Sequence, residues 1–209
     1  MPYKNIDELK SEYRRKKPEI RRRLDDFRIV PPEQYFYELL YCLMTPQTSA
    51  VNAGKAQRIF EELRLKETDV DPLPVLADKR HYIRFHKTKS KRILEMRDQY
   101  DEIHALLTSG LAAEEKREWL VSNVKGMSLK EATHVLRNIG MNNGLAILDR
   151  HIIGNLKYHG IIRSISVVLT RKRYLSIERK FMEFARQVSI STDELDLLFW
   201  SREAGKILK

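Results

Sequence analysis

Two residues in this chain have the type and spacing for chemistry. In the stretch VKGMSLKEA, Ser128 followed by Glu131 is the S-x-x-E pattern that starts a helix, with Ser128 as its N-cap. Lys130 then falls in the first helical turn, where the helix dipole is positive and acidic side chains are favoured. A place that is poor for an ammonium ion suits a neutral amine, and a neutral amine is a nucleophile that forms Schiff bases. Nineteen residues later, in AILDRHIIGNL, Asp149 precedes a new helical pattern. Capping that helix is a sufficient role for an aspartate. A span of one helix and a short turn also brings the chain back towards its starting end, so the amine and the carboxylate are expected near one cleft.

The elements that must position these groups are helices. EWLVSNVKGMSLKEATHVLRNIG reads as a helix, a turn at Gly126 and a second helix, with Trp119, Leu120 and Val124 turned inward from the first and Ala132, Val135, Leu136 and Ile139 from the second. Backbone N–H groups around Lys125, Gly126 and Ser128 are placed to bind a DNA phosphate without reading sequence. Elsewhere apolar residues recur mainly at helical spacing, which predicts helices near 5–26, 32–44, 48–65, 88–108, 112–123, 129–140, 149–159, 176–189 and 192–205. Pro31-Pro32, Ser176, and Ser191 with Glu194 are start signals. The β-branched stretch 161–175 is expected as an extended connection, and the proline-containing segment 66–87 as a crossing between two lobes. The fold class is all-α.

Composition narrows the partners. Among 209 residues, 39 Lys+Arg against 29 Asp+Glu give a formal net charge of +10 and a pI near 9.6. A surplus of that size points to a polyanion, most simply nucleic acid. The basic runs YRRKKPEIRRR, KTKSKR and RKR supply phosphate contacts or serve as solvated helix faces. A single cysteine, Cys42, excludes an internal disulfide, a four-cysteine zinc site and a four-cysteine iron–sulfur cluster. No signal peptide opens the chain, and no apolar run is long enough to cross a bilayer. The expectation is a cytoplasmic protein, held at the nucleoid through DNA, with no membrane partner.

VKGMSLKEATHVLRNIG followed by LAILDRHIIGNL resembles the helix-hairpin-helix/Gly-Pro-Asp superfamily of DNA glycosylases, and within it the type-2 8-oxoguanine DNA glycosylase/AP lyases found mainly in archaea. The likeness extends to YCLMTPQTSAVNAGKA, IRFHKTKSKRI and the terminal AGKILK, so it covers nearly the whole chain. It implies a single helix-hairpin-helix glycosylase unit over 1–209, made of two helical lobes. It implies a monomer acting on double-stranded DNA that contains 8-oxoguanine or abasic sites, with no metal or organic cofactor. Lys130 becomes the nucleophile at C1′ and Asp149 the stabilising carboxylate. Gln47 matches the family's void-filling glutamine, which occupies the gap left by a base turned out of the stack; the bare reading of it is a turn or capping residue. His86 sits at a second wedge-like turn. Trp200 and Phe85 are candidates to stack on the extruded base. Lys209 matches the family's C-terminal lysine, whose carboxylate is suited to accept the N7–H that distinguishes 8-oxoguanine from guanine. The chain departs from the usual Leu-Pro-Gly-Val-Gly hairpin: Val124, Lys125, Gly126, Met127 and Ser128 stand there, without the second glycine.

Two rival readings share these features. One is a related glycosylase/lyase preferring another oxidised base, such as a pyrimidine. The other is a helix-hairpin-helix module that binds DNA without catalysis and tolerates the loss of Lys130.

Overall fold

The computed structural model describes residues 3–163, 169–205 and 207. Among these, helices α1 (Ile6–Arg28), α2 (Tyr35–Met44), α3 (Ala50–Glu62), α4 (Pro72–Ala77), α5 (His86–Asp98), α6 (Tyr100–Thr108), α7 (Ala113–Asn123), α8 (Leu129–Asn138), α9 (Arg150–Tyr158), α10 (Arg171–Val188) and α11 (Thr192–Ala204) follow one another without a strand. The chain divides into two compact units, Val30–Val135 and Met1–Ile29 with Leu136–Lys209, and the division falls within α8.

In the Val30–Val135 unit, α2 is buried along its whole length, as its run YFYELLYCLM dictates. Helices α3, α5 and α6 pack against it, α4 lies against α3 and α5, and α7 follows α6. The other unit is organised on α11, which contacts α1, α9 and α10. Its capping box forms as the sequence predicts: Ser191 accepts the Glu194 N–H at 3.2 Å, and the Glu194 carboxylate accepts the Ser191 N–H at 3.1 Å. Gly140, at φ +69°, lets the chain after α8 pass against α1, where an added Cβ would come within 2.7 Å of the Arg28 Cα.

Several boundaries differ from expectation. The helix expected over 88–108 is two helices, α5 and α6, which break at Gln99. The segment 66–87 lies inside one unit and carries α4, whose N-cap Asp71 accepts the Leu73 N–H at 2.9 Å. Helix α10 starts at Arg171, with Thr170 as its cap, so Ser176 is an interior residue. Its apolar face, Tyr174, Ile177, Phe181, Phe184 and Val188, keeps helical spacing back into the stretch taken as extended. Residues 164–168 of that stretch lie outside those described. Trp119 is only half-buried, while Lys116 and Arg117 on the same helix are buried; the Lys116 Nζ donates to the Leu107 carbonyl at 2.8 Å.

Candidate active site

Each unit carries its own set of candidate residues. In the Val30–Val135 unit, α7, the turn Val124–Ser128 and the start of α8 form the hairpin. The Met127 N–H donates to the Val124 carbonyl at 3.1 Å, closing the turn, and Gly126 sits at φ +95°, a conformation glycine adopts freely. The Arg92 side chain lies across Gly126, so close that an added Cβ would meet its Cδ at 2.7 Å. Lys125 is exposed and pairs with Glu95 at 3.0 Å.

The start of α8 is capped reciprocally. The Ser128 Oγ accepts the backbone N–H of Lys130 at 3.3 Å, and the Ser128 N–H donates to the Glu131 Oε2, also at 3.3 Å. The Ser128 hydroxyl donates to that same carboxylate oxygen. The other oxygen of Glu131 lies 3.5 Å from the Lys130 Nζ. One buried carboxylate thus closes the cap and neighbours the amine, a pairing that the sequence reading missed. The Lys130 side chain is 20% exposed, so its amine is reachable from solvent.

A second lysine was also missed. Lys89, on α5, is 3% exposed, and burial, with help from Arg92 and Lys130 and against Glu131, pushes its amine down to about 8. A lowered amine of this kind invites a nucleophilic role. Its surroundings argue otherwise: the Nζ donates to the Met44 and Pro46 carbonyls at 2.6 and 2.8 Å and to the Thr48 Oγ1 at 3.1 Å. These bonds use all three protons of an ammonium.

Gln47 is exposed, at φ 54°, in a turn closed by the Thr48 N–H to the Thr45 carbonyl at 3.0 Å. Pro46 occupies the second position of that turn and Gln47 the third, where glycine is usual. Phe85 likewise has φ 61° and is 50% exposed, with the Arg84 guanidinium 5.0 Å over its ring. It is therefore no core aromatic. His86 begins α5, and its Nδ1 lies 3.2 Å from the Tyr82 hydroxyl.

In the other unit, Asp149 is the N-cap of α9, as its bare reading predicts. One oxygen accepts the N–H groups of His151 and Ile152, both at 2.8 Å. The second accepts the Trp200 Nε1–H at 2.7 Å. Trp200, half-buried on α11, also meets the His151 ring edge-on at 5.2 Å. The carboxylate is therefore fixed by three donors, an arrangement suited to presenting a held negative charge. Only the capping share was visible in sequence, because Trp200 lies 51 positions away. Lys209 lies outside the described residues.

Among the described residues, no group of His, Cys, Asp and Glu is arranged to hold a metal ion, and no helix is long and apolar enough to cross a membrane.

Comparison with known proteins places the chain in a family. The family model describing 8-oxoguanine DNA glycosylases, with the helix-hairpin-helix, matches residues 20–190. The 8-oxoguanine DNA glycosylase/AP lyase of Fusobacterium nucleatum is 36% identical over 216 residues, covering 98% of this chain and 97% of that one. The crystal structure of the 8-oxoguanine DNA glycosylase of Thermotoga maritima superposes with a TM-score of 0.85 at 30% identity, covering 98% of both chains. The Methanocaldococcus jannaschii 8-oxoguanine glycosylase/lyase, crystallised with a 15mer DNA containing 8-oxoguanine, matches with a TM-score of 0.85 at 29% identity, over 96% of this chain and 99% of that one.

Proposed function

This chain belongs to the 8-oxoguanine DNA glycosylase family, and on that premise we propose that it excises 8-oxoguanine from duplex DNA and then cuts the strand, with Lys130 as nucleophile. The observation that carries this reading is the capped first turn of α8, which holds a solvent-reachable amine next to the buried Glu131 carboxylate. The Lys130 amine, having given up a proton, attacks C1′ and displaces the base. The resulting Schiff base acidifies the neighbouring C2′ proton, and its loss expels the 3′ phosphate by β-elimination. Asp149, its charge held by three donors, answers the positive charge that builds on the sugar.

Chemistry at C1′ requires the nucleotide outside the stack. Gln47 fills the gap, His86 wedges beside it, and Phe85 and Trp200 offer aromatic faces to the extruded base. The hairpin turn at Lys125, Gly126 and Ser128 takes a phosphate. The protein acts as a monomer, in the cytoplasm where DNA lies, on duplexes carrying 8-oxoguanine or an abasic site.

Borohydride trapping on duplexes with 8-oxoguanine, undamaged guanine or an abasic site tests the reading, with Lys130→Gln alongside. A covalent adduct on the two lesions that disappears in Lys130→Gln is expected. Salt-sensitive binding without an adduct on any duplex overturns the lyase and leaves a DNA-binding module.

A further inference from the structure

Three non-glycine residues of the Val30–Val135 unit are exposed in the left-handed region, Gln47 at φ 54°, Arg64 at φ 52° and Phe85 at φ 61°, and the turns of Gln47 and Phe85 are tied to each other. Such backbone persists only where its surroundings over-determine it. The surroundings here are one lysine and one hydroxyl.

Helix α2 ends at Met44, so its last carbonyls lack partners within the helix. The buried Lys89 amine reaches this end from α5. It bonds the Met44 carbonyl, then the Pro46 carbonyl one residue before Gln47, then the Thr48 Oγ1 one residue after it. The left-handed residue is thus pinned on both sides by a single cation, placed where a helix C-terminus favours positive charge.

Thr48 carries the connection onward. Its hydroxyl accepts from Lys89 and from the backbone N–H of Arg84, at 3.2 Å, and donates to the Pro46 carbonyl at 3.4 Å. One donor and two acceptor positions are all that a threonine hydroxyl has, and all are used. Arg84 precedes Phe85, so this hydroxyl ties the Gln47 turn to the Phe85 turn. A parallel tie runs from the Asn52 amide to the Tyr82 carbonyl at 3.3 Å. Lys89 itself lies one helical turn beyond Phe85, its N–H bonded to the Phe85 carbonyl at 3.0 Å.

We propose that Lys89, acting through Thr48, is a positioning residue that locks the Gln47 and Phe85 turns into one two-pronged probe, so that filling the gap and receiving the base are mechanically a single event. The proposal deepens the reading of Gln47 given above and rests on it. Lys89 touches neither DNA nor the reacting atoms; its effect passes through the residues it holds.

The test is a double-mutant cycle on base extrusion, read before any bond is cut. A duplex carries 8-oxoguanine beside 2-aminopurine, whose fluorescence rises on unstacking, and stopped-flow traces are collected for the wild type, Gln47→Ala, Lys89→Met, Thr48→Val and each double variant with Gln47→Ala. Lys89→Met and Thr48→Val are expected to slow extrusion about tenfold, the size typical of coupled neighbours. Each double variant is expected to be no slower than Gln47→Ala alone, because a probe that works as one unit is already disabled once either prong is lost. Losses that multiply in the doubles, or no loss in either lock variant, overturn the proposal. If Gln47→Ala alone extrudes normally, the reading of Gln47 fails and the proposal falls with it. Should Lys89→Met not fold, the Thr48→Val arm decides, since that variant leaves two of the three Lys89 bonds in place.

Discussion

Replacing Trp200 with phenylalanine separates two roles that its position allows. The change keeps an aromatic face for stacking and removes only the Nε1–H that reaches the Asp149 carboxylate at 2.7 Å. A hydrogen bond to a charged group contributes about 1.5–3 kcal/mol. This one is partly open to solvent, which screens it towards the lower end, about 1.5 kcal/mol. If Trp200 matters by fixing Asp149, Trp200→Phe therefore slows single-turnover excision of 8-oxoguanine about tenfold. Trp200→Leu removes the ring as well, and a lost base–aromatic stack adds about 1–3 kcal/mol. The decisive assay is strand cleavage on DNA with a preformed abasic site, which has no base to stack. A positioning role predicts that the tenfold deficit of Trp200→Phe persists there. A variant within twofold of the wild type on abasic DNA refutes this reasoning and leaves Trp200 a stacking platform alone.

Asp149→Asn should lower stability as well as activity. The amide keeps one acceptor for the α9 N–H groups but turns a donor towards the Trp200 N–H, at a cost of about 1.5–3 kcal/mol, and calorimetry should show Tm down by about 4–10 °C. Gly126→Ala forces an L side chain to φ +95° and against Arg92; urea unfolding should register a loss of about 1–2 kcal/mol, and an unchanged midpoint counts against the hairpin geometry. Lys89 gives a pH signature. Its amine titrates near 8 when folded against 10.5 ordinarily, facing Arg92 on its own helix and Lys130 and Glu131 on α8. Between those values the unfolded chain binds more protons, so stability rises with pH across that window, and the cost of burying the charge is fully present below it. Lys89→Met should flatten the rise in denaturation curves taken from pH 8 to 10.5; parallel curves for both proteins refute the assignment.

What could be read from sequence was local. The Ser128–Glu131 and Ser191–Glu194 patterns announce helix starts because a cap is made within four residues, and both helices begin there. Asp149 as a cap was legible for the same reason. The start of α10 was misplaced because β-branched residues before Arg171 suggested extended chain, although the apolar spacing from Tyr174 onward already followed a helix. What stayed hidden joins distant positions. Lys89 reads as one more cation in KTKSKR, and nothing in that run reveals carbonyls 43 and 45 positions upstream. Trp200 reads as an aromatic on an apolar helix until the fold brings its N–H to Asp149.

The cap at α9 also decides how this protein is best stopped in the act. To capture the lesion complex intact, one wants a side chain whose loss silences chemistry and disturbs nothing else. Asp149 is the wrong choice, since the start of a helix and the orientation of a tryptophan hang from it. Lys130 lends its side chain only a 3.5 Å approach to Glu131, and that carboxylate keeps its hold on Ser128 whatever stands at 130. A glutamine at 130 thus leaves the architecture standing with its reactive atom gone, ready for a crystal of enzyme and uncut lesion.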